Sequence, residues 1–381
     1  MHSILRGGKL RLMLKNKFVK TLVFSMLSLI FIGTVQAENH EAKAEKHDES
    51  HKKEATDEAY DPIPVIMHHI ADAHDWHFFD YNGHAVSMPL PIILWTDNGL
   101  VTFMSSEFHH DNTGEHVVEK KGMRFIKFHE KIYQLKDGAP AGFDYETTIK
   151  PLDLSITKNV FAMLMSVLII LIVFIKTASH YAKNGAVAPK GIASFMEPLI
   201  IFVRDDIAKV NIGEKKYMKF MPYLLTVFFF IWFNNLLGLI PWIGGANLTG
   251  NIAVTFVLAV FTMLVTNFNG NKEYWGHIFW MPGAPVPVKI MLIPIELVGI
   301  VIKPFALMVR LFANITAGHI VVLSLISLIF IFKNAAMGAV SVPFALFISV
   351  LELLVAFLQA YVFTMLSALF IGTAVAEHEH H

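Results

Sequence analysis

Residues 290–332 read IMLIPIELVGIVIKPFALMVRLFANITAGHIVVLSLISLIFIF. The stretch is apolar for twice the ~20 residues that cross a bilayer, so it is either one strongly tilted helix or a broken pair. It also carries Glu296, Lys303, Arg310 and His319. A charge at mid-bilayer costs at least about 2.5–3.5 kcal/mol, so such groups face protein or water and usually mark an ion path. Glu296, Lys303 and Arg310 recur every seven positions and share one helical face, with Asn314 a turn above Arg310. His319 lies nine residues past Arg310, rotated by about 180° and raised by about 13 Å.

The next apolar run, residues 342–375, returns antiparallel after a turn at 333–338 and contains Glu352 and Gln359. In such a hairpin, residues at one depth have nearly constant index sums. Gln359 therefore falls level with Arg310, and Glu352 level with His319. An amide can hydrogen-bond a guanidinium without neutralising it. A His–carboxylate pair can relay protons near neutral pH. Arginine does not release its proton in practice. The pattern is thus an ion route interrupted by a fixed positive charge that can attract a carboxylate from a partner.

Three shorter apolar runs precede this hairpin, at 159–175, 220–240 and 252–268. The predicted fold is an all-α polytopic membrane protein with five membrane-embedded helices, the last two forming a long tilted hairpin. Basic residues cluster after the first run (Lys176, Lys183, Lys190, Arg204, Lys209, Lys215, Lys216, Lys219), and Lys272 and Lys289 follow the third. The positive-inside rule puts both sets, and the C-terminus, in the cytoplasm. Residues 194–214 mix apolar and charged positions, as an interfacial helix does.

The N-terminal part reads differently. Six basic residues precede an apolar run at 22–32 and small residues up to Ala37, the anatomy of a cleaved secretory signal peptide spanning 1–37. Residues 38–60 are too charged to bury a core and are expected to be disordered. Residues 61–150 alternate in places, notably 85–95 and 123–133, between turn signals at Asn82-Gly83, Asp97-Asn98-Gly99 and Asp137-Gly138. They are expected to form a small exported insert with short β-strands. The membrane domain then covers 151–381. His69 and His77 would lie two helical turns apart, a spacing that suits a transition metal, but no carboxylate or Cys completes a ligand set.

Composition agrees. The chain has 381 residues, 54% hydrophobic and 16% charged, against about 25% charged in soluble domains. Lys+Arg and Asp+Glu balance at 31 each, which removes a global argument for nucleic-acid binding. With no cysteine there is no disulfide framework or thiolate chemistry. No GxxxxGK[ST] loop is present, so the chain has no such phosphate cradle of its own.

Residues 303–319 (KPFALMVRLFANITAGH) closely resemble the signature helix of subunit a of the F-type ATP synthases. Residues 358–363 (LQAYVF) and 233–241 (FNNLLGLIP) resemble its last-helix and second-span motifs, and the likeness covers roughly 150–376. The resemblance implies a non-catalytic, proton-translocating subunit of a bacterial inner membrane. It implies no cofactor, and as partners the ring of subunit c, the subunit b stalk, the remaining synthase subunits and membrane lipid. It makes Arg310 the arginine facing the ring carboxylate. It puts Asn314, His319, Glu352 and Gln359 in an exported half-channel and Glu296 on the cytoplasmic side. Many bacterial members have Glu at the position of His319 and His at that of Glu352. Gly238 stands where some members have Asp. The rival class is a proton-coupled secondary transporter, which calls for paired repeats and a midplane substrate site; no matching halves are evident.

Overall fold

A computed structural model describes residues 62–376 except 64–65, 67–69, 82–83, 186, 241–246, 282 and 284, with residues 79–81 and 84–85 described by backbone alone. The expected signal peptide, the charged segment 38–60, His68 and His69 lie outside the described residues.

Among the described residues, 75–153 form a β-domain of three antiparallel sheets. β1 (Asp75–Tyr81) pairs with β2 (His84–Pro89). β3 (Pro91–Thr96) lies between β4 (Gly99–Met104) and β9 (Leu152–Asp153). The third sheet runs β5 (Val118–Lys120), β6 (Met123–Phe128), β7 (Lys131–Leu135) and β8 (Thr148–Ile149). The expected turn at Asp97-Asn98 joins β3 to β4. Alternating burial on β3 and β4 sends Ile92, Leu94, Val101 and Phe103 inward against Phe125 and Ile132 of the third sheet. One face of each strand therefore makes the core. His77 sits in β1, so the helical spacing that would set it opposite His69 does not apply.

From Lys158 onward the described residues form helices joined by short connections. α1 (Lys158–Asn184) is capped by Thr157, whose hydroxyl accepts from the Val160 amide. α2 (Ile192–Phe202) runs on through a π-helical stretch, Val203–Lys209, to a last turn at Val210–Ile212. α3 (Tyr217–Leu239) is apolar all round and its centre, Phe228 to Ile231, is fully buried, as expected of a helix surrounded by others. α4 (Ile252–Phe268) leads into a short α5 (Lys272–Phe279) across a bend of 103°. α6 (Val286–Ile331) and α7 (Gly338–Val375) complete the chain.

Four of these helices are long and apolar enough to cross a membrane, and the bent α4–α5 pair brings the total to five. The open question of residues 290–332 is resolved in favour of a single helix. α6 has 46 residues without a break, despite Pro294 and Pro304 inside it. At 1.5 Å per residue it is about 69 Å long, more than twice the ~30 Å hydrocarbon core, so it must lie strongly inclined or curved. α6 packs chiefly on α7 and α4, and α7 on α3. Elsewhere α6 and α7 leave Ile302, Phe305, Val309, Leu353 and Leu354 exposed, a surface for lipid or a protein partner rather than water.

Candidate functional site

The site is built around α6. Its buried side, Pro304, Leu307, Met308, Leu311 and Ile315, locks into the helical core. The opposite side presents Ala306, Arg310, Ala313 and Ala317 outward. Arg310 is exposed on this face and makes no ion pair among the described residues. The alanines on either side leave its guanidinium open to close approach by another backbone. Gln359 is buried on α7, 6% exposed, and among the described residues no hydrogen bond links it to Arg310.

Beyond Arg310 toward the C-terminal end of α6 lies a narrow cavity lined by Asn314, Ile315 and His319 of α6, Glu352 and Val355 of α7, and Asn235 and Leu239 of α3. His319 and Glu352 thus line one cavity from facing helices. The Glu352 carboxylate is packed against the backbone of Gly318, which has no side chain to displace it. Asn314 and His319 are about 140° apart around the helix. They share the cavity because it wraps around that arc, with Ile315 between them. Asn235, which the charge pattern did not single out, is fixed on both sides. Its Nδ2 donates to the Ala356 carbonyl at 3.3 Å and its Oδ1 accepts from the Thr249 hydroxyl at 2.5 Å. The available signal was an Asn-Asn pair inside an otherwise apolar span.

A second cavity lies on the other side of Arg310, between α4, α5, α6 and α7. Thr266, Asn267, Tyr274, Lys303 and Thr373 supply its polar lining. Pro304 and Ile300 line it too; proline has no N–H to give to the Ile300 carbonyl, which leaves that acceptor available to the cavity. Tyr274 Oη donates to Asn267 Oδ1 at 2.9 Å, while the buried Thr266 hydroxyl has no hydrogen-bond partner among the described residues. Lys303 Nζ stands 5.9 Å from the centre of the Phe370 ring. Glu296, about two turns from Lys303 along α6, is within electrostatic reach of Tyr274. Among the described residues no group of three or more His, Asp or Glu side chains is arranged to hold a metal.

An all-helical polytopic membrane domain that carries a fixed cation on an open apolar face, with a polar cavity to each side, defines an intramembrane protein built around ion-handling groups rather than a soluble enzyme. The particular family follows from comparison with known proteins. The ATP synthase A chain family matches residues 160–372, more than half of the chain, and the protein belongs to it. A separate domain of unknown function matches residues 65–154, the β-domain. The chain is 50% identical to the ATP synthase subunit a of Chloroherpeton thalassium over 60% of its own length and 69% of that protein's. It is 46% identical to an ATP synthase subunit a 2 of Prosthecochloris aestuarii, covering 72% and 83%. It is 39% identical to the subunit a of an Anaeromyxobacter species, covering 83% and 71%. Membership makes the chain a non-catalytic, ion-conducting subunit of the synthase's membrane sector.

Proposed function

We propose that this subunit couples proton flow to rotation through two offset half-channels separated by Arg310. Protons enter from the exported side along the cavity of Asn235, Asn314, His319 and Glu352 and reach a carboxylate on the ring of subunit c. After nearly a full rotation they leave by the cavity of Lys303, Thr266 and Tyr274, past Glu296, on the cytoplasmic side. Gln359 steadies the α7 wall beside Arg310. The subunit b stalk and the remaining synthase subunits hold the chain against the ring. The setting is a bacterial inner membrane, with the β-domain exported and the C-terminus cytoplasmic.

The observation that carries this reading is the exposure of Arg310 between two cavities, without an internal counter-ion among the described residues. A guanidinium left against lipid would cost at least about 2.5–3.5 kcal/mol. An anion supplied by a partner removes that cost, and because arginine stays charged it also blocks a continuous proton wire between the cavities. A self-contained transporter would have to supply the anion from its own chain. The test is Arg310→Ala in the complete synthase. ATP-driven proton pumping is expected to fall below detection while the complex still assembles. Undiminished pumping in the assembled variant would overturn the reading.

A further inference from the structure

Where the β-domain meets α1, charged side chains are packed out of water. His74 is 3% exposed, Lys127 2%, Glu130 7% and Lys158 5%. They come from the segment before β1, from β6, from the β6–β7 turn and from the first residue of α1. His74 Nε2 lies 2.8 Å from the Asp153 carboxylate on β9. Lys127 Nζ lies 3.5 Å from Asp75 and 3.7 Å from Glu130. The same segment grips the start of α1. Asp72 accepts from the Thr157 hydroxyl and the Asn159 amide, both at 3.0 Å, and the Ala73 carbonyl accepts from the Lys158 amide at 2.8 Å. One strand further, Trp76 meets Phe161 edge-on with ring centres 5.2 Å apart.

The charges decide what this joint responds to. Among the described residues four acids, Asp72, Asp75, Glu130 and Asp153, face two lysines, Lys127 and Lys158, and the imidazoles of His74 and of the exposed His110, 3.3 Å from Asp75, stand among them. Burial disfavours the charged forms of Asp72 and Lys158, so His74 is the buried imidazole held in direct contact with an acid, Asp153, whose pKa is lowered. We propose that His74 is a pH-sensitive pin: protonated, it holds Asp153 and so the β-domain against the first turn of α1, and on losing its proton it loosens the joint.

The surroundings support this. Burial opposes a charge on His74, but the hydrogen bond to Asp153, its charge, and those of Asp72 and Glu130 outweigh burial and raise the pKa above the ordinary 6.5. Asp153, despite its own burial, is held below the usual carboxylate value by the same contact and by Ser155. A raised histidine pKa gives stabilisation that is complete below about 6.5 and is lost as pH rises through the folded-state value. The pin therefore holds on the acidic side and opens as the medium becomes neutral to alkaline. α1 can pass the change inward, since Phe174 packs edge-on against Phe229 of α3 at 5.1 Å, and α3 carries Asn235 into the cavity with His319.

This inference stands on the joint alone and does not depend on how protons cross the membrane. Because the chain lacks cysteine, spin labels at Thr102→Cys and Leu168→Cys, both exposed, report the distance from the β-domain to α1 in the complete synthase. The distance distribution is expected to be narrow near pH 5.5 and to broaden at least about twofold by pH 9, with a midpoint above about 6.5. His74→Gln should abolish the pH response, whether the joint is then tight or loose throughout. Asp153→Asn should move the midpoint downward. A parent distribution that does not change over this range overturns the proposal. So does an unchanged transition in His74→Gln, or an unmoved midpoint in Asp153→Asn.

Discussion

Gly318 is the residue on which the proposed relay is most finely poised. A methyl group built there would collide with the Glu352 carboxylate, the far end of a flexible side chain. The carboxylate can swing away, so Gly318→Ala should fold and assemble, with stability changed by no more than about 1 kcal/mol. The swing moves the carboxylate within the cavity it shares with His319, and proton transfer depends steeply on such placement. A slowing of turnover of about tenfold is expected, equivalent to about 1.4 kcal/mol on the barrier. ATP-driven pumping in vesicles measures it; parental rates in a fully assembled Gly318→Ala complex would remove Glu352 from the relay. That His319 and Glu352 fall at one depth was legible in the sequence, because an antiparallel hairpin fixes depth by index alone, and both line one cavity. Asn235 was not, since its place in the cavity depends on hydrogen bonds to α7 and to the 247–251 loop, made far along the chain.

At the scale of elements, the end of α7 is tied down by two loops. Lys216 Nζ donates to the Val375 carbonyl at 2.7 Å, the Asn271 amide to that of Ala374 at 2.9 Å, and the Asn271 side chain to that of Ala376. These contacts satisfy carbonyls that a helix C-terminus leaves open. The approach is close enough that a side-chain carbon at Gly372 would overlap the Asn211 carbonyl, which is backbone and cannot rotate aside. Gly372→Ala is therefore expected to cost about 1–3 kcal/mol, the range for overpacking. It should lower the thermal midpoint of the purified synthase membrane sector, and an unchanged midpoint would mean that α7 and the helical turn at Asn211 are free to part. Among elements, four of the long apolar runs were readable as helices to within four residues at each end, whereas α1 continues nine residues past its apolar run, to Asn184, through a polar stretch. The continuity of α6 was not, because Pro294 and Pro304 break its own ladder and only packing on α4 and α7 decides whether the helix survives them. α5 escaped notice because it is short and mixed, although Asn271, whose side chain caps it at the Tyr274 amide, is a start signal.

For the whole molecule, the strands within 85–95 and 123–133 were foreseeable from alternation, while β1, β4, β5, β8 and β9 were not. Nor was the assembly into three sheets, since β9 joins β3 across more than fifty intervening residues, pairing Leu152 with Trp95. The membrane domain invites a sharper question: whether its two cavities open to opposite sides. They lie on either side of Arg310 along α6, one around Asn314 and one around Lys303, Thr266 and Tyr274. A conduit running past both would short-circuit the proton gradient, whereas two offset conduits force each proton onto the ring. The chain's lack of cysteine makes the distinction measurable, because a thiol reacts with a charged, impermeant reagent only as a hydrated thiolate. In the complete synthase in sealed vesicles, Asn314→Cys is expected to be modified from the exported side alone and Thr266→Cys from the cytoplasmic side alone. Modification of each should slow pumping, since each blocks one half of the route. Reaction of both from one side would sink the offset arrangement, and reaction of each from the side opposite to that expected would invert the orientation while leaving the two half-channels intact.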